Sequence, residues 1–161
     1  MKTLMMSAAF GAAILATLAM AQVMTPSEYV MTAGASDLYE ITSSKVVLET
    51  TQNPALRDFA QMMVTQHTKS TADVKAAAMK SRVKVAPPKL TPLQQELVTE
   101  LRAETGTARD AAYVAQQKAS HGQALAVQKA YATEGTAPAL KTTAAAIVPV
   151  VEHHIMMLKA M

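Results

Sequence analysis

The chain has 161 residues, half of them hydrophobic and only 4% aromatic, and its net charge is +3. A composition poor in aromatic residues and rich in alanine and methionine favours packed helices over a sheet, because sheets prefer β-branched and aromatic side chains. The absence of cysteine excludes disulfides, thiolate nucleophiles and cysteine-ligated zinc. So small a net charge is not the basic footprint of a nucleic-acid-binding protein, and we expect no nucleic-acid partner.

Residues 1–21 have the features of a secretory signal peptide. Lys2 gives a positive start, residues 4–18 form a mostly apolar run, and an A-x-A cleavage site lies at residues 19–21. The alternative is an uncleaved anchor helix, but the apolar run is near the lower limit for spanning a bilayer. We therefore expect residues 22–161 to form one mature domain in a bacterial periplasm, with no transmembrane segment after cleavage.

Helix N-terminal signals that contain proline divide residues 22–161 into four long helices and one short helix. Thr25, Asn53 and Thr91 each precede a proline, which is the pattern of a capping residue before the first helical position. Gly106 and Gly135 mark breaks between helices. The helices are predicted over about 26–50, 54–82, a dozen residues from 92, 107–134 and 138 to the C-terminus.

The connections between these helices predict the architecture. Short turns join the first pair and the last pair of long helices, whereas a long crossover containing Pro87 and Pro88 joins the two pairs. Two hairpins with one long connection are a standard layout of four-helix bundles. We therefore predict an all-α, ferritin-like four-helix bundle of two helical hairpins, with the short helix in the crossover. The orientation of the second hairpin stays open.

One polar residue from each long helix is predicted to lie near the middle of the bundle. His67 interrupts an apolar stripe, and a buried ring of this kind needs a polar partner. Counted at about 1.5 Å per residue, Glu40 is level with His67, and His121 is level with His154. His153 points about 100° away from His154, so we expect His154 inside and His153 outside.

Three imidazoles and one carboxylate at similar heights form a set that divalent transition metals bind. Nitrogen donors suit Zn, Cu and Fe, and bundle cores are where such sites are built. The predicted metal ligands are Glu40, His67, His121 and His154. In the alternative hypothesis, the same histidines form a metal-free polar network in a structural or interaction protein of the cell envelope. The side chains predicted to support the histidines are Asp110, Tyr113 and Gln117.

Two further hypotheses use neighbouring residues. Met63 and Met157 each lie one turn from a histidine, and thioethers with imidazoles select copper, although methionine also fills gaps in aliphatic cores. An enzyme could use His121 and Asp110 as acid and base. The chain has no G-x-S-x-G, P-loop or H-E-x-x-H signature, so the sequence favours a binding protein over an enzyme.

Three spaced motifs follow the long helices. They are Phe59-Ala60-x-x-Met63-Val64-x-x-His67-Thr68, Asp110-x-x-Tyr113-x-x-x-Gln117-x-x-x-His121-x-x-Ala124-Leu125 and Pro149-x-x-x-x-His154. In this order they resemble the exported bacterial proteins grouped as domain of unknown function 4142, over about residues 26–160. The family's usual Phe before the aspartate of the second motif is Arg109 here.

This resemblance implies a ferritin-like bundle, in a family sometimes described as outer-membrane proteins, and it implies no activity. It singles out His67, His121 and His154 over His153. Di-iron sites of ferritin-like proteins carry a glutamate three residues before the histidine on two helices. Val64 and Val151 occupy those positions, which argues against a two-iron centre.

Overall fold

The structure is a computed structural model that describes residues 23–161, so the signal peptide predicted over residues 1–21 lies outside the described residues. Residues 23–161 form five α-helices and no strand. The helices are α1 (Pro26–Leu48), α2 (Pro54–Lys80), α3 (Pro92–Ala103), α4 (Gly106–Glu134) and α5 (Pro138–Lys159). The predicted all-α fold, with four long helices and one short helix in the crossover, is confirmed.

The capping residues determine where three of the helices begin. Thr25 Oγ1 accepts a hydrogen bond from the Glu28 amide, and the Glu28 carboxylate accepts one from the Thr25 amide. Thr91 forms the same capping box at the start of α3. Asn53 Oδ1 accepts from two amides in the first turn of α2. These bonds satisfy amides that have no partner inside a helix, so the caps stabilise each start.

Contacts between the hairpins determine the orientation that the sequence left open. Arg109, near the start of α4, donates to the carbonyl of Val46 near the end of α1 at 2.8 Å. At the other end, Tyr29 of α1 stacks on Tyr131 of α4 with ring centroids 3.9 Å apart. α1 and α4 are therefore antiparallel neighbours.

The same arrangement holds for α2 and α5. Phe59 of α2 shares one core cluster with Leu158 near the end of α5. Val74 of α2 shares a second cluster with Leu140 near the start of α5. Because α2 and α4 then point the same way, the crossover has to run the length of the bundle. It ends beside the α1–α2 turn, where the Gly106 amide donates to Thr50 Oγ1 at 3.3 Å.

A polar layer separates the two apolar clusters. Along α2, α4 and α5, residues of one cluster come first, then buried polar side chains, then residues of the other cluster; α1 follows the same order except that Tyr39 lies among its polar residues. The buried polar residues between the clusters include Asp37, Glu40, Ser43, Ser44, His67, Gln117, His121 and His154. Among residues 23–161, no helix combines the length and apolar character needed to cross a membrane.

Candidate metal centre

Three of the predicted ligands meet in the polar layer. His67 of α2, His121 of α4 and His154 of α5 each offer one nitrogen, and these nitrogens lie within 4.8 Å of one another. The ring centroids are 5.3 to 5.9 Å apart. All three side chains are buried, whereas His153 is exposed. We call these three residues the histidine triad.

A carboxylate orients the first ring of the triad. His67 Nδ1 lies 2.8 Å from Asp37 Oδ1 of α1. The second oxygen of Asp37 accepts a hydrogen bond from Thr71, one turn along α2, at 3.0 Å. Asp37 is itself buried, so solvent only weakly screens the interaction between its carboxylate and the His67 ring. A carboxylate behind a histidine determines which ring nitrogen carries the proton.

Oxygen acceptors also orient the other two rings. His121 Nδ1 lies 2.9 Å from the Gln117 carbonyl oxygen in the preceding turn of α4. His154 Nε2 lies 2.6 Å from Gln66 Oε1 of α2. Each histidine of the triad thus has one nitrogen facing an oxygen of the protein.

These contacts leave one inward-facing nitrogen on each ring. A carboxylate, a backbone carbonyl and an amide oxygen only accept, so the ring nitrogen that faces each oxygen carries a proton. The inward nitrogens are His67 Nε2, His121 Nε2 and His154 Nδ1. The last two are 3.2 Å apart, and His67 Nε2 has no hydrogen-bond partner within residues 23–161. With the outer nitrogens protonated, neutral rings of His121 and His154 would both offer a lone pair to a cation between them.

The spacing of the triad suits a metal ion. Zinc–imidazole bonds are about 2.0–2.1 Å, which places tetrahedral ligand nitrogens roughly 3.4 Å apart. The separation of His121 Nε2 and His154 Nδ1 is 3.2 Å. The third ligand nitrogen, from His67, lies within 4.8 Å of the other two. Three histidines and one further position is the arrangement of zinc sites that keep a place for an added ligand.

Glu40 of α1, the fourth predicted ligand, lies beside the triad and outside the group of converging nitrogens. Its Oε1 is 3.8 Å from His121 Nδ1, the nitrogen that donates to Gln117. Glu40 is 1% exposed, and neither of its carboxylate oxygens has a hydrogen-bond partner in the described part of the chain. An unpartnered buried carboxylate is costly, and a cation held by the triad would compensate its charge.

Burial and charge act differently on the three rings. Burial opposes protonation of His67, but the hydrogen bond to Asp37 and the nearby Glu40 carboxylate outweigh it and raise the pKa of His67 above 6.5. Burial lowers the pKa of His121, against the attraction of Glu40. Burial and the other two rings lower the pKa of His154 to about 3. His121 and His154 are therefore neutral near pH 7 and available as nitrogen ligands.

The three predicted supporting residues have different positions. Tyr113 OH lies 2.7 Å from Ser44 Oγ. Gln117 donates from Nε2 to Ser43 Oγ at 3.2 Å, besides accepting from His121 through its carbonyl. Both are buried, Gln117 in the polar layer and Tyr113 in the adjoining apolar cluster.

Asp110 lies apart from the triad. Its Oδ2 accepts a hydrogen bond from Thr51 at the α1–α2 turn. Eleven residues separate Asp110 from His121 on the same helix, which is about 16 Å along the axis. This spacing puts the two residues on one face of α4 but at different heights in the bundle. The two residues therefore do not form the acid–base pair considered for an enzyme.

Two functional residues were missed in the sequence, Asp37 and Gln66. Asp37 precedes Glu40 by three residues, so the two share a face of α1, and a search for a second carboxylate there would have found it. Gln66 is adjacent to His67 and carried no signal, because its contact with His154 depends on how α2 and α5 pack. Met63 lies in the apolar core cluster, and Met157 packs at that cluster's edge.

Comparison with known proteins agrees with this fold. A family model for a domain of unknown function (DUF4142) matches residues 12–161. A crystal structure of a DUF305 protein from Streptomyces coelicolor, whose name marks it as a candidate secreted protein, has a TM-score of 0.66. That match covers 85% of this chain and 90% of the other at 14% identity, which shows likeness of fold alone. No curated protein matches significantly. The family model spans nearly the whole sequence, so the chain belongs to the DUF4142 family.

Proposed function

We propose that this protein binds one divalent transition-metal ion through His67, His121 and His154. The observation that carries the proposal is the convergence of three buried ring nitrogens, one each from α2, α4 and α5, within 4.8 Å of one another. The opposite nitrogen of each ring faces an oxygen, and the inward nitrogens of His121 and His154 are 3.2 Å apart. In this scheme Glu40 is a buried counter-charge beside the site and not a ligand. A nearby carboxylate lowers the cost of holding a dication in a core.

Metal analysis of protein purified without an affinity tag tests the proposal. We expect about one equivalent of metal in the natural protein and less than a tenth of an equivalent in His67→Ala, because two histidines bind metal weakly. The matched control is His153→Ala, which removes an exposed histidine next to His154. That variant should keep its metal. Absence of metal after incubation with Zn²⁺ or Cu²⁺, or equal content in both variants, would contradict the proposal.

The nitrogen ligands also predict an order of affinity. Sites of this kind generally bind Cu²⁺ more tightly than Zn²⁺ and Zn²⁺ more tightly than Fe²⁺. Competition titrations of the metal-free protein should therefore rank Cu²⁺ first. If the methionines contributed to a copper site, Met63→Leu would weaken copper binding. Because Met63 packs in the apolar cluster, we expect that variant to bind copper as tightly as the natural protein.

The metal-free network in a structural or interaction protein is the alternative function. The closely spaced and buried polar layer favours it as the second candidate, since satisfied polar groups can specify a unique core. The two functions differ in their thermal response. A ligand at a thousand times its Kd stabilises the folded state by about 4 kcal/mol. Bound metal should thus raise the Tm of the natural protein and leave that of His67→Ala unchanged, whereas a metal-free network predicts no effect on either.

We also propose that the protein is exported to the periplasm, with residues 22–161 as the mature domain. The features of residues 1–21 support a cleaved signal, and the Streptomyces coelicolor protein of similar fold is named as a candidate secreted protein. Cell fractionation followed by mass spectrometry of the N-terminus tests both points. We expect a chain beginning at Gln22 in the periplasmic fraction. An intact N-terminus in the membrane fraction would instead establish an anchor, and the cleaved chain in the outer-membrane fraction would establish association there.

A further inference from the structure

A groove between α2 and α5 reaches the histidine triad from the surface. Its volume is about 740 Å³, and its wall includes His67 and His154 together with Gln66. Cavities of about 300–1,000 Å³ are typical of small-molecule sites. His67 Nε2 is buried and has no hydrogen-bond partner within residues 23–161, so the groove is lined by a histidine with a ring nitrogen that no described residue contacts.

Small side chains on the facing helices leave this space open. Ala76 and Ala77 of α2 line it from one side, and Ala139 and Ala146 of α5 line it from the other. Leucine or methionine at these positions would fill the gap between two packed helices. The alanines therefore leave an open groove between α2 and α5, whose lining also includes His67 and His154 of the polar layer.

We propose that a metal ion in the triad keeps one coordination position open to this groove, and that the position takes a small carboxylate with an apolar tail. The inference rests on the proposed metal site. Three protein ligands leave a tetrahedral ion one position short. Glu40, the buried carboxylate without a hydrogen-bond partner in the described part of the chain, is on α1 beside His121 and does not line the groove.

The chemistry of the groove indicates the class of ligand. At its inner end a metal dication would attract an anionic oxygen donor. Along its length the wall is mostly apolar, with Ile147, Val150 and Val151 contributing, so a hydrocarbon tail can be buried there. Lys80 lines the groove as an exposed positive charge, whereas Lys69 is paired with Asp73, which also lines it. An anion with a short apolar body matches all three features.

Titration of the Co²⁺ form of the mature chain tests the proposal, since the visible absorption of Co²⁺ reports its coordination. Azide, acetate and hexanoate are the probes. We expect each to change the spectrum saturably. Hexanoate should bind at least tenfold more tightly than acetate, because each methylene buried in the groove is worth about 0.8 kcal/mol, or about fourfold in Kd.

Two variants on α2 locate the binding path. Ser70 lines the groove one turn after His67, whereas Thr65 is exposed and lies outside its lining. Ser70→Phe should weaken hexanoate binding at least tenfold, and Thr65→Phe should leave it unchanged. Neither should alter the Co²⁺ spectrum without added ligand. If Ser70→Phe does not fold, Ala146→Phe narrows the same groove from α5.

The outcomes separate this inference from the proposed metal site. Failure to bind Co²⁺ overturns both. Stoichiometric Co²⁺ with no spectral response to any probe overturns the open position and leaves the metal site standing. Azide binding with no preference for hexanoate over acetate, or a hexanoate affinity that Ser70→Phe does not change, overturns the groove as the binding path.

Discussion

At the scale of single residues, the triad depends on the oxygens behind it. Asp37, Gln66 and the Gln117 carbonyl each accept from one ring. Without them the rings could exchange tautomers and turn their N–H groups inward, where they could not bind a metal. Asp37 differs from the other two because it carries a charge, and it raises the basicity of the His67 ring that would face the cation.

Asp37→Asn should therefore lower metal affinity by 10- to 100-fold, the usual cost of losing a charged group behind a metal-binding histidine. Asparagine has nearly the same shape, so the fold should persist. Competition with a chromophoric chelator measures the change in Kd. The control is Asp73→Asn, which removes an exposed aspartate paired with Lys69 on the same helix. An unchanged Kd in Asp37→Asn would show that the carboxylate does not act on the site.

The depressed pKa of His154 predicts an acid-sensitive metal-free protein. Its pKa is about 3 in the folded state and about 6.5 in an unfolded chain, so the unfolded chain binds an extra proton between those values. Stability from this group is complete above pH 6.5 and is lost as pH falls toward 3. Glu40, His67, His121 and His153 surround it, and the raised pKa of His67 acts in the opposite direction.

Urea unfolding of the chelator-treated protein from pH 7 to pH 4 measures this loss. We expect the free energy of unfolding to fall by a few kcal/mol, since one proton is worth about 1.4 kcal/mol per pH unit. His154→Gln cannot take up the proton, so its free energy of unfolding should fall less over the same range. An equal pH dependence in both proteins would contradict the assignment to His154.

At the scale of elements, the turn between α4 and α5 aligns two of the three ligands. Gly135 ends α4, and its amide donates to the Tyr131 carbonyl at 2.9 Å. A Cβ atom at Gly135 would lie 2.5 Å from that oxygen and 2.7 Å from the Tyr131 ring. The ring cannot move aside freely, because it stacks on Tyr29 in the apolar cluster. The turn therefore requires glycine for space.

Two glycine substitutions, one within α4 and one just after it, test whether the turn requires glycine for space. Gly135→Ala should lower the free energy of unfolding by about 1–3 kcal/mol through overpacking. Gly122→Ala, in the middle of α4 with nothing within 4 Å of an added Cβ, should raise it by about 0.5–1 kcal/mol because alanine favours the helix. Chemical denaturation of both variants gives the values. Equal changes of the same sign in the two variants would contradict the requirement for glycine at the α4–α5 turn.

The starts of the helices and the common height of the histidines could be predicted from the sequence. Thr25, Asn53 and Thr91 are local signals, and a fixed rise per residue places His121 level with His154. The position of Glu40 could not be predicted, because Asp37 and Glu40 are neighbours on one face of α1 and only the packing of α1 against α2 and α4 decides which of them contacts a ring. The contact of Gln66 with His154 is likewise invisible before α2 and α5 are packed together.

At the scale of the whole molecule, the triad joins the two hairpins. His67 belongs to the first hairpin, and the other two ligands belong to the second. The polar layer that holds them separates two apolar clusters that could each pack without it. Buried polar groups lower the stability of a core unless they are satisfied. A metal ion bound to the triad would therefore stabilise the polar layer and connect the two hairpins there.

Anomalous diffraction from crystals grown with Zn²⁺ tests the proposed metal site most directly, because it shows where the ion lies. We predict one strong peak in the polar layer, about 2.0–2.1 Å from His67 Nε2, His121 Nε2 and His154 Nδ1. Glu40 should stay outside the coordination sphere. A peak only at surface side chains, or one that uses the nitrogens now bonded to Asp37, Gln117 and Gln66, would contradict it.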